Sequence, residues 1–191
     1  MSTAETIQLR LVGERPLLMH CGRLADPLDP ITIELAKVTQ KRDKTRADYE
    51  EIGRIEWFGG LWLDGSRPCI PAEALEATFI GGARTKRKGR HAEAGFFVDA
   101  PARLKYEGPS DVNDLWEDQQ FRFRAGVSVN SSRTMRTRPR FPEWSVEFNA
   151  TFFPSLLNRS DVIDIFTISG FREGLGDWRP RFGRFAVELI E

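Results

Sequence analysis

The residues best suited to hold an anion lie near the C-terminus, in a stretch rich in glycine and arginine. Residues Gly170 to Phe185 read GFREGLGDWRPRFGRF and contain four glycines and four arginines. Glycine allows the backbone to approach a ligand and to offer its amide N–H group, and arginine donates forked hydrogen bonds to phosphate. This pattern predicts contact with a nucleic-acid backbone, and a plain surface turn with solvated arginines is the alternative. The predicted contacts here are Arg172, Gly174, Gly176, Arg179, Arg181 and Arg184.

Two further runs are basic and contain no acidic residue. Residues 84–91 read RTKRKGRH, and residues 133–140 read RTMRTRPR. The formal net charge of the chain is zero, so positive charge is segregated rather than in excess. Segregated charge favours a basic groove, or head-to-tail docking of an acidic face on a basic one. The predicted RNA contacts in these runs are Arg84, Lys86, Arg87, Lys88, Arg133, Arg136 and Arg138.

Candidates for catalysis are few. His20 is a potential general base, although the sequence indicates no partner for it. Asp26 and Asp29 are potential metal ligands or catalytic carboxylates, but aspartate before proline more often builds a turn. The histidines and cysteines have no metal-ligand spacing, and neither a P-loop nor a dinucleotide fingerprint is present. The sequence therefore predicts no metal site and no cofactor, and a binding protein rather than an enzyme.

The hydrophobic pattern predicts the elements that position these residues. Alternation of apolar and polar residues predicts strands, and cap residues predict helix starts. The predicted strands are Thr6–Val12, Ile55–Leu63, Phe121–Val129, Trp144–Phe152 and Arg184–Ile190. The predicted helices are Arg46–Gly53, Ala72–Gly81 and a helix from Asn158 through Phe171. Helices mixed with antiparallel strands predict an α+β fold with a ferredoxin-like sheet and helices on one face.

The length of 191 residues is typical of one domain, with or without a large insertion. We expect irregular insertions at about residues 22–54 and 80–100, and a long hairpin at about 121–152 with the 133–140 run at its tip. No apolar run is long enough to cross a membrane, and the N-terminus lacks a secretory pattern. Two cysteines make no disulfide framework, which favours a cytoplasmic location.

Three stretches together resemble the RAMP superfamily, whose members form CRISPR effector subunits. Residues Cys69 to Ala77 resemble the family's Ile-Pro-Gly-Ser-Ser-Leu-Lys-Gly pattern, which starts the first core helix. Gly170 to Phe185 resembles the C-terminal glycine-rich loop. The N-terminal strand followed by Leu17 to Gly22 is similar to the segment before the variable loop of backbone subunits.

The resemblance implies an RRM-like core that binds single-stranded guide RNA and forms a head-to-tail homo-oligomer along it. Target nucleic acid and other effector subunits are the further partners implied, and a phage or mobile-element version is compatible with the short chain. By resemblance, Arg133 to Arg140 is the thumb, and Ile31 to Lys44 with the 84–91 run forms finger-like elements.

Two alternatives stay open. One is an RNA-processing endoribonuclease of the same fold that uses His20, because relatives that process guide RNA often use a histidine near the N-terminus. In some relatives an aspartate in the loop after the first strand cuts target RNA, so Asp26 and Asp29 also stay candidates by resemblance. The other is a structural or interaction protein, such as a phage assembly factor or an inhibitor that mimics an effector subunit.

Overall fold

The computed structural model describes residues 3–129 and 132–190. Its α-helices are α1 (Pro30–Thr39), α2 (Arg46–Gly60), α3 (Ala72–Thr85), α4 (Gly89–Gly95), α5 (Val112–Glu117) and α6 (Arg159–Arg172). Its strands are β1 (Glu5–Gly13), β2 (Leu17–Leu18), β3 (Leu63–Asp64), β4 (Arg67–Ile70), β5 (Phe96–Val98), β6 (Ala102–Lys105), β7 (Arg122–Val129), β8 (Ser132–Phe141), β9 (Ser145–Phe152) and β10 (Phe185–Leu189). None of the helices in these residues combines the length and apolar character needed to cross a bilayer.

The predicted α+β class is confirmed. The larger sheet has seven strands in the order β10–β1–β9–β6–β4–β3, and β5 also pairs with β9. Strand β1 lies between β10 and β9 and is antiparallel to both. The connections β1–α3–β5 and β9–α6–β10 are two split βαβ units, which is compatible with a ferredoxin-like arrangement. A second sheet has three strands in the order β2–β8–β7.

The described residues divide into two compact units. The first contains the residues up to 17, residues 63–107 and the residues from 142 onward, and the second contains residues 18–62 and 108–141. Residues 80–100, predicted as an irregular insertion, form the end of α3, then α4 and β5, within the first unit.

Aromatic rings fill the core of the first unit between its sheet and helices α3 and α6. The rings of Phe79 and Phe96 stack with centroids 3.9 Å apart, and Phe166 lies against both. Gly82 permits the two helices to approach, since a Cβ atom at that position would lie 2.1 Å from the Ser169 hydroxyl oxygen. Helix α6 begins with the predicted cap, in which the Asn158 side chain accepts from the Asp161 amide.

Helix α2 organises the second unit and is longer than the sequence predicts. Thr45 and Asp48 form a capping box at its predicted start, but the helix continues to Gly60, so the predicted strand Ile55–Leu63 is wrong. The glycines near the end of α2 allow close packing: a Cβ at Gly60 would lie 3.0 Å from the ring of Pro139. Tertiary contact here overrides the low helix propensity of glycine.

The predicted hairpin of residues 121–152 is not confirmed in that form. Strand β7 pairs with β8, from Arg122 opposite Pro139 to Val129 opposite Ser132, so the 133–140 run is a strand and not a tip. Strand β9 belongs to the other sheet. The tip of the β7–β8 hairpin lies outside the described residues.

Candidate nucleic-acid interface

The glycine-rich loop connects α6 to β10, and several of its amides are engaged within the fold. Gly174 ends α6 with a φ of 73°, and its amide donates to the Ser169 carbonyl oxygen at 2.9 Å. The Leu175 amide donates to the Gly183 carbonyl oxygen, and the Gly183 amide donates to the Pro16 carbonyl oxygen. Because this bond closes the helix, the Gly174 amide is not free to donate to a phosphate as the sequence predicts.

The arginines of the loop differ in their surroundings. Arg184 donates from Nε to the Pro180 carbonyl oxygen at 3.0 Å, and its guanidinium lies over the Phe171 ring. Arg181 lies over the ring of the neighbouring Phe182. Arg172 and Arg179 are exposed and line a shallow cavity of about 430 Å³ that also includes Gly176. These two have no ion pair within the described residues and are the loop cations best placed for a phosphate.

The lysines of the 84–91 run bind acidic side chains of α6. Lys86 Nζ lies 2.9 Å from Asp164 Oδ2, and Lys88 Nζ lies 2.6 Å from Asp161 Oδ2. The hydrogen bond from Lys88 is the main reason why the pKa of Asp161 is lowered. The positive charge of these two lysines is therefore balanced inside the first unit and is less available to an external anion than the sequence predicts.

The 133–140 run is also partly structural. Arg136 Nη1 donates to Glu56 Oε1 at 2.6 Å, and the Thr137 amide donates to the other oxygen at 2.9 Å. The Glu56 residue is only 2% exposed, so this pair anchors β8 to α2. Arg138 is buried and donates to the Thr137 carbonyl oxygen. Among the three predicted contacts of this run, Arg133 is the exposed one.

A groove along α2 contains candidate binding residues that the sequence analysis does not identify. Two adjoining cavities of about 650 and 580 Å³ share Tyr49, Gly53, Arg124 and Thr137. Tyr49 is 51% exposed, and Arg124 is exposed with no ion pair in the described part of the chain.

Trp116 lies at one end of the first cavity, and the guanidinium of Arg122 stands 4.7 Å above its ring. One sequence pattern points to this groove: the alternation of β7 places Arg122 and Arg124 on the same face of the strand.

The face of the larger sheet opposite the core is mainly polar on its central strands. RRM-type sheets bind RNA by stacking bases on aromatic side chains, whereas β1 and β9 present Gln8, Arg10, Glu147 and Asn149 on this face. Glu147 accepts from Arg10 Nε at 2.8 Å and lies 2.7 Å from Lys105 Nζ. The Lys105 hydrogen bond, followed by that of Arg10, lowers the pKa of Glu147. Base stacking on these two strands is not supported by their side chains.

Two of the three catalytic candidates have structural roles. His20 is exposed. Asp26 accepts from the Leu28 amide in a turn. Asp29 caps α1 through the Ile31 amide and pairs with Arg23, whose hydrogen bond lowers the pKa of Asp29. Both aspartates therefore have local structural partners. Within residues 3–129 and 132–190, no group of three His, Cys, Asp or Glu side chains is placed to hold a metal ion.

Comparison with known proteins finds no family model and no curated protein that matches this chain. Membership of the RAMP superfamily is therefore a prediction that rests on the motifs.

Proposed function

We propose that this chain binds single-stranded RNA of the guide type and that copies assemble head to tail along it, as the backbone subunit of a CRISPR-like ribonucleoprotein. The observation that carries the proposal is the pair Arg124 and Arg133 on one face of the β7–β8 hairpin. Both are exposed and have no ion pair within the described residues, whereas Arg136 beside them is bound to Glu56.

The register of the hairpin explains why these two arginines act together. Arg124 is opposite Thr137, and Arg133 is opposite Ser128, so both belong to the same face of the hairpin. They are four residue positions apart along the strand, which is about 14 Å at the rise of an antiparallel strand. This separation suits contact with different phosphates of an extended strand, with Tyr49 available for a base.

The glycine-rich loop supplies a second group of cations in the first unit. Arg172 and Arg179 line its cavity, and the loop lies between the last helix and the last strand, as the RAMP resemblance implies. Sequence-independent contact with phosphates requires arginines that are free of intramolecular ion pairs, and it does not require an excess of positive net charge.

Head-to-tail assembly is supported by the distribution of acidic residues. Asp111, Asp114 and Glu117 at the start and end of α5 are exposed. An acidic surface on one copy is complementary to exposed arginines on the next copy, and such a heterologous contact repeats along a filament.

The test is equilibrium binding of a fluorescein-labelled 30-nucleotide oligouridylate to the wild type and to the double variant Arg124→Glu/Arg133→Glu. We expect the variant to bind at least about tenfold more weakly, since two charge-assisted contacts are lost. The matched control is Arg103→Glu/Arg159→Glu, which makes the same charge change at two exposed arginines, and we expect less than about a threefold change in this control. Equal losses in both double variants, or no binding by the wild type, would refute the proposal.

A further inference from the structure

The turn that ends α3 has an arginine where helices usually have glycine. The Lys88 amide donates to the Ala83 carbonyl oxygen, and the Arg87 amide donates to the Arg84 carbonyl oxygen. These two bonds are those of a Schellman motif, whose penultimate residue adopts the left-handed conformation. That residue is Arg87, with a φ of 59°. A side chain in this conformation crowds the backbone, which is why glycine is favoured there.

The residues on either side hold the turn in place. Lys86 and Lys88 both bind acids of α6, so their side chains are directed toward that helix. Arg87 is exposed between them, and its side chain makes no ion pair or hydrogen bond within the described residues. A residue kept in a strained conformation, with a side chain that stabilises nothing in the fold, points to a role outside the fold.

The side chain of Arg87 joins a group of basic residues. Arg84, Arg87, Arg90 and His91 line an open cavity of about 510 Å³. The absence of a side chain at Gly89 allows Arg84 to pack close to the backbone there, because a Cβ at Gly89 would lie 2.9 Å from Arg84 Cγ. Glu93 pairs with Arg84 at 3.2 Å, while Arg87 and Arg90 have no acidic partner among the described residues. The two guanidinium groups without an acidic partner favour the binding of an anion at this cavity.

We propose that this basic turn, formed by Arg84, Arg87, Arg90 and His91, binds a phosphate group, and that Arg87 occupies the left-handed position for that purpose. The phosphate belongs either to the RNA of the proposed function, on which that part of the inference rests, or to a free polyphosphate. Both sources offer the same tetrahedral anion to the forked guanidinium groups.

The decisive variant is Arg87→Gly, which affects stability and binding in opposite directions. Relief of the left-handed strain raises the melting temperature by about 2–4 °C for a chain of this size. Loss of a charge-assisted contact weakens the binding of inorganic tripolyphosphate by about tenfold or more. When RNA is the ligand, the same variant makes the slope of log affinity against log salt shallower by about 1, which corresponds to one lost phosphate contact.

Two controls separate charge from backbone. Arg42→Gly removes one exposed arginine that is not among the left-handed residues; we expect no rise in melting temperature and unchanged binding. Arg87→Lys keeps the cation on the same backbone and retains part of the binding. Calorimetry of unfolding and isothermal titration with tripolyphosphate measure both quantities.

A rise in melting temperature with unchanged binding in both arms would show that Arg87 is only a poor helix cap, and no rise would show that the turn is not strained. Either result overturns the inference. Tripolyphosphate binding that depends on Arg87, without any binding of RNA, supports the inference and refutes the proposed function. RNA binding that is independent of Arg87, with no tripolyphosphate binding, supports the proposed function and refutes the inference.

Discussion

Replacement of Gly183 by alanine tests whether the glycine-rich loop is built by backbone closure. Gly183 has a φ of 70°, and a Cβ there would lie 1.7 Å from the Leu175 carbonyl oxygen. The left-handed conformation costs an alanine about 1 kcal/mol. The loop must also open, which breaks the Leu175–Gly183 and Gly183–Pro16 hydrogen bonds at about 1 kcal/mol each. We expect a loss of about 3 kcal/mol in the free energy of unfolding, or about 6–12 °C in melting temperature.

Gly65→Ala is the matched control, because Gly65 has a φ of 61° and nothing within 4 Å of the added Cβ. This variant reports the backbone strain alone and should lose only about 1 kcal/mol. Urea unfolding followed by circular dichroism measures both losses. Equal losses for Gly183→Ala and Gly65→Ala would refute the reasoning, since the close approach inside the loop would then have no energetic effect.

Two further predictions concern the second unit. Glu56→Ala leaves Arg136 and the Thr137 amide without their acceptor and should lower the free energy of unfolding by about 3 kcal/mol. The control Glu50→Ala breaks an exposed pair and should lower it by less than about 0.5 kcal/mol. Similar losses for the two variants in urea titrations would contradict the buried role of Glu56. The Lys41 ammonium, followed by the Thr45 amide and hydroxyl, lowers the pKa of Asp48 from 3.8 to about 2. Its stabilising contribution is therefore complete above about pH 4 and is lost as the pH falls toward 2, so the urea midpoints of the wild type and Asp48→Asn should converge over that range; a constant difference between them would contradict this assignment.

Local signals in the sequence were sufficient for much of the fold. Strict alternation identified β1, β7 and β9, because a strand buried on one face requires it. Cap residues identified the starts of α2 and α6, since an N-cap is a contact between near neighbours. The C-terminal end of α2 was missed because its glycines are explained by contacts with distant residues such as Pro139. The sequence pattern predicts a loop at β8, because the charged residues of this strand give no local sign of its pairing with β7.

The site was harder to predict because intramolecular ion pairs decide which cations are available. Lys88 binds Asp161, and Arg136 binds Glu56, across separations of 73 and 80 residues. Such non-local pairs leave no trace in the local sequence, so all the basic residues looked alike. Arg124 belongs to no basic run, so the sequence does not single it out. It becomes a candidate only because it lines the groove beside α2.

The salt dependence of RNA binding tests the central claim most directly. If four arginines such as Arg124, Arg133, Arg172 and Arg179 each neutralise one phosphate, the slope of log affinity against log salt for a single-stranded oligouridylate is about −3. Affinity measured by fluorescence anisotropy from low to moderate salt should therefore fall steeply along this slope. Absence of binding at low salt, or an affinity that does not change with salt, would contradict the proposal that this protein holds RNA by its phosphates.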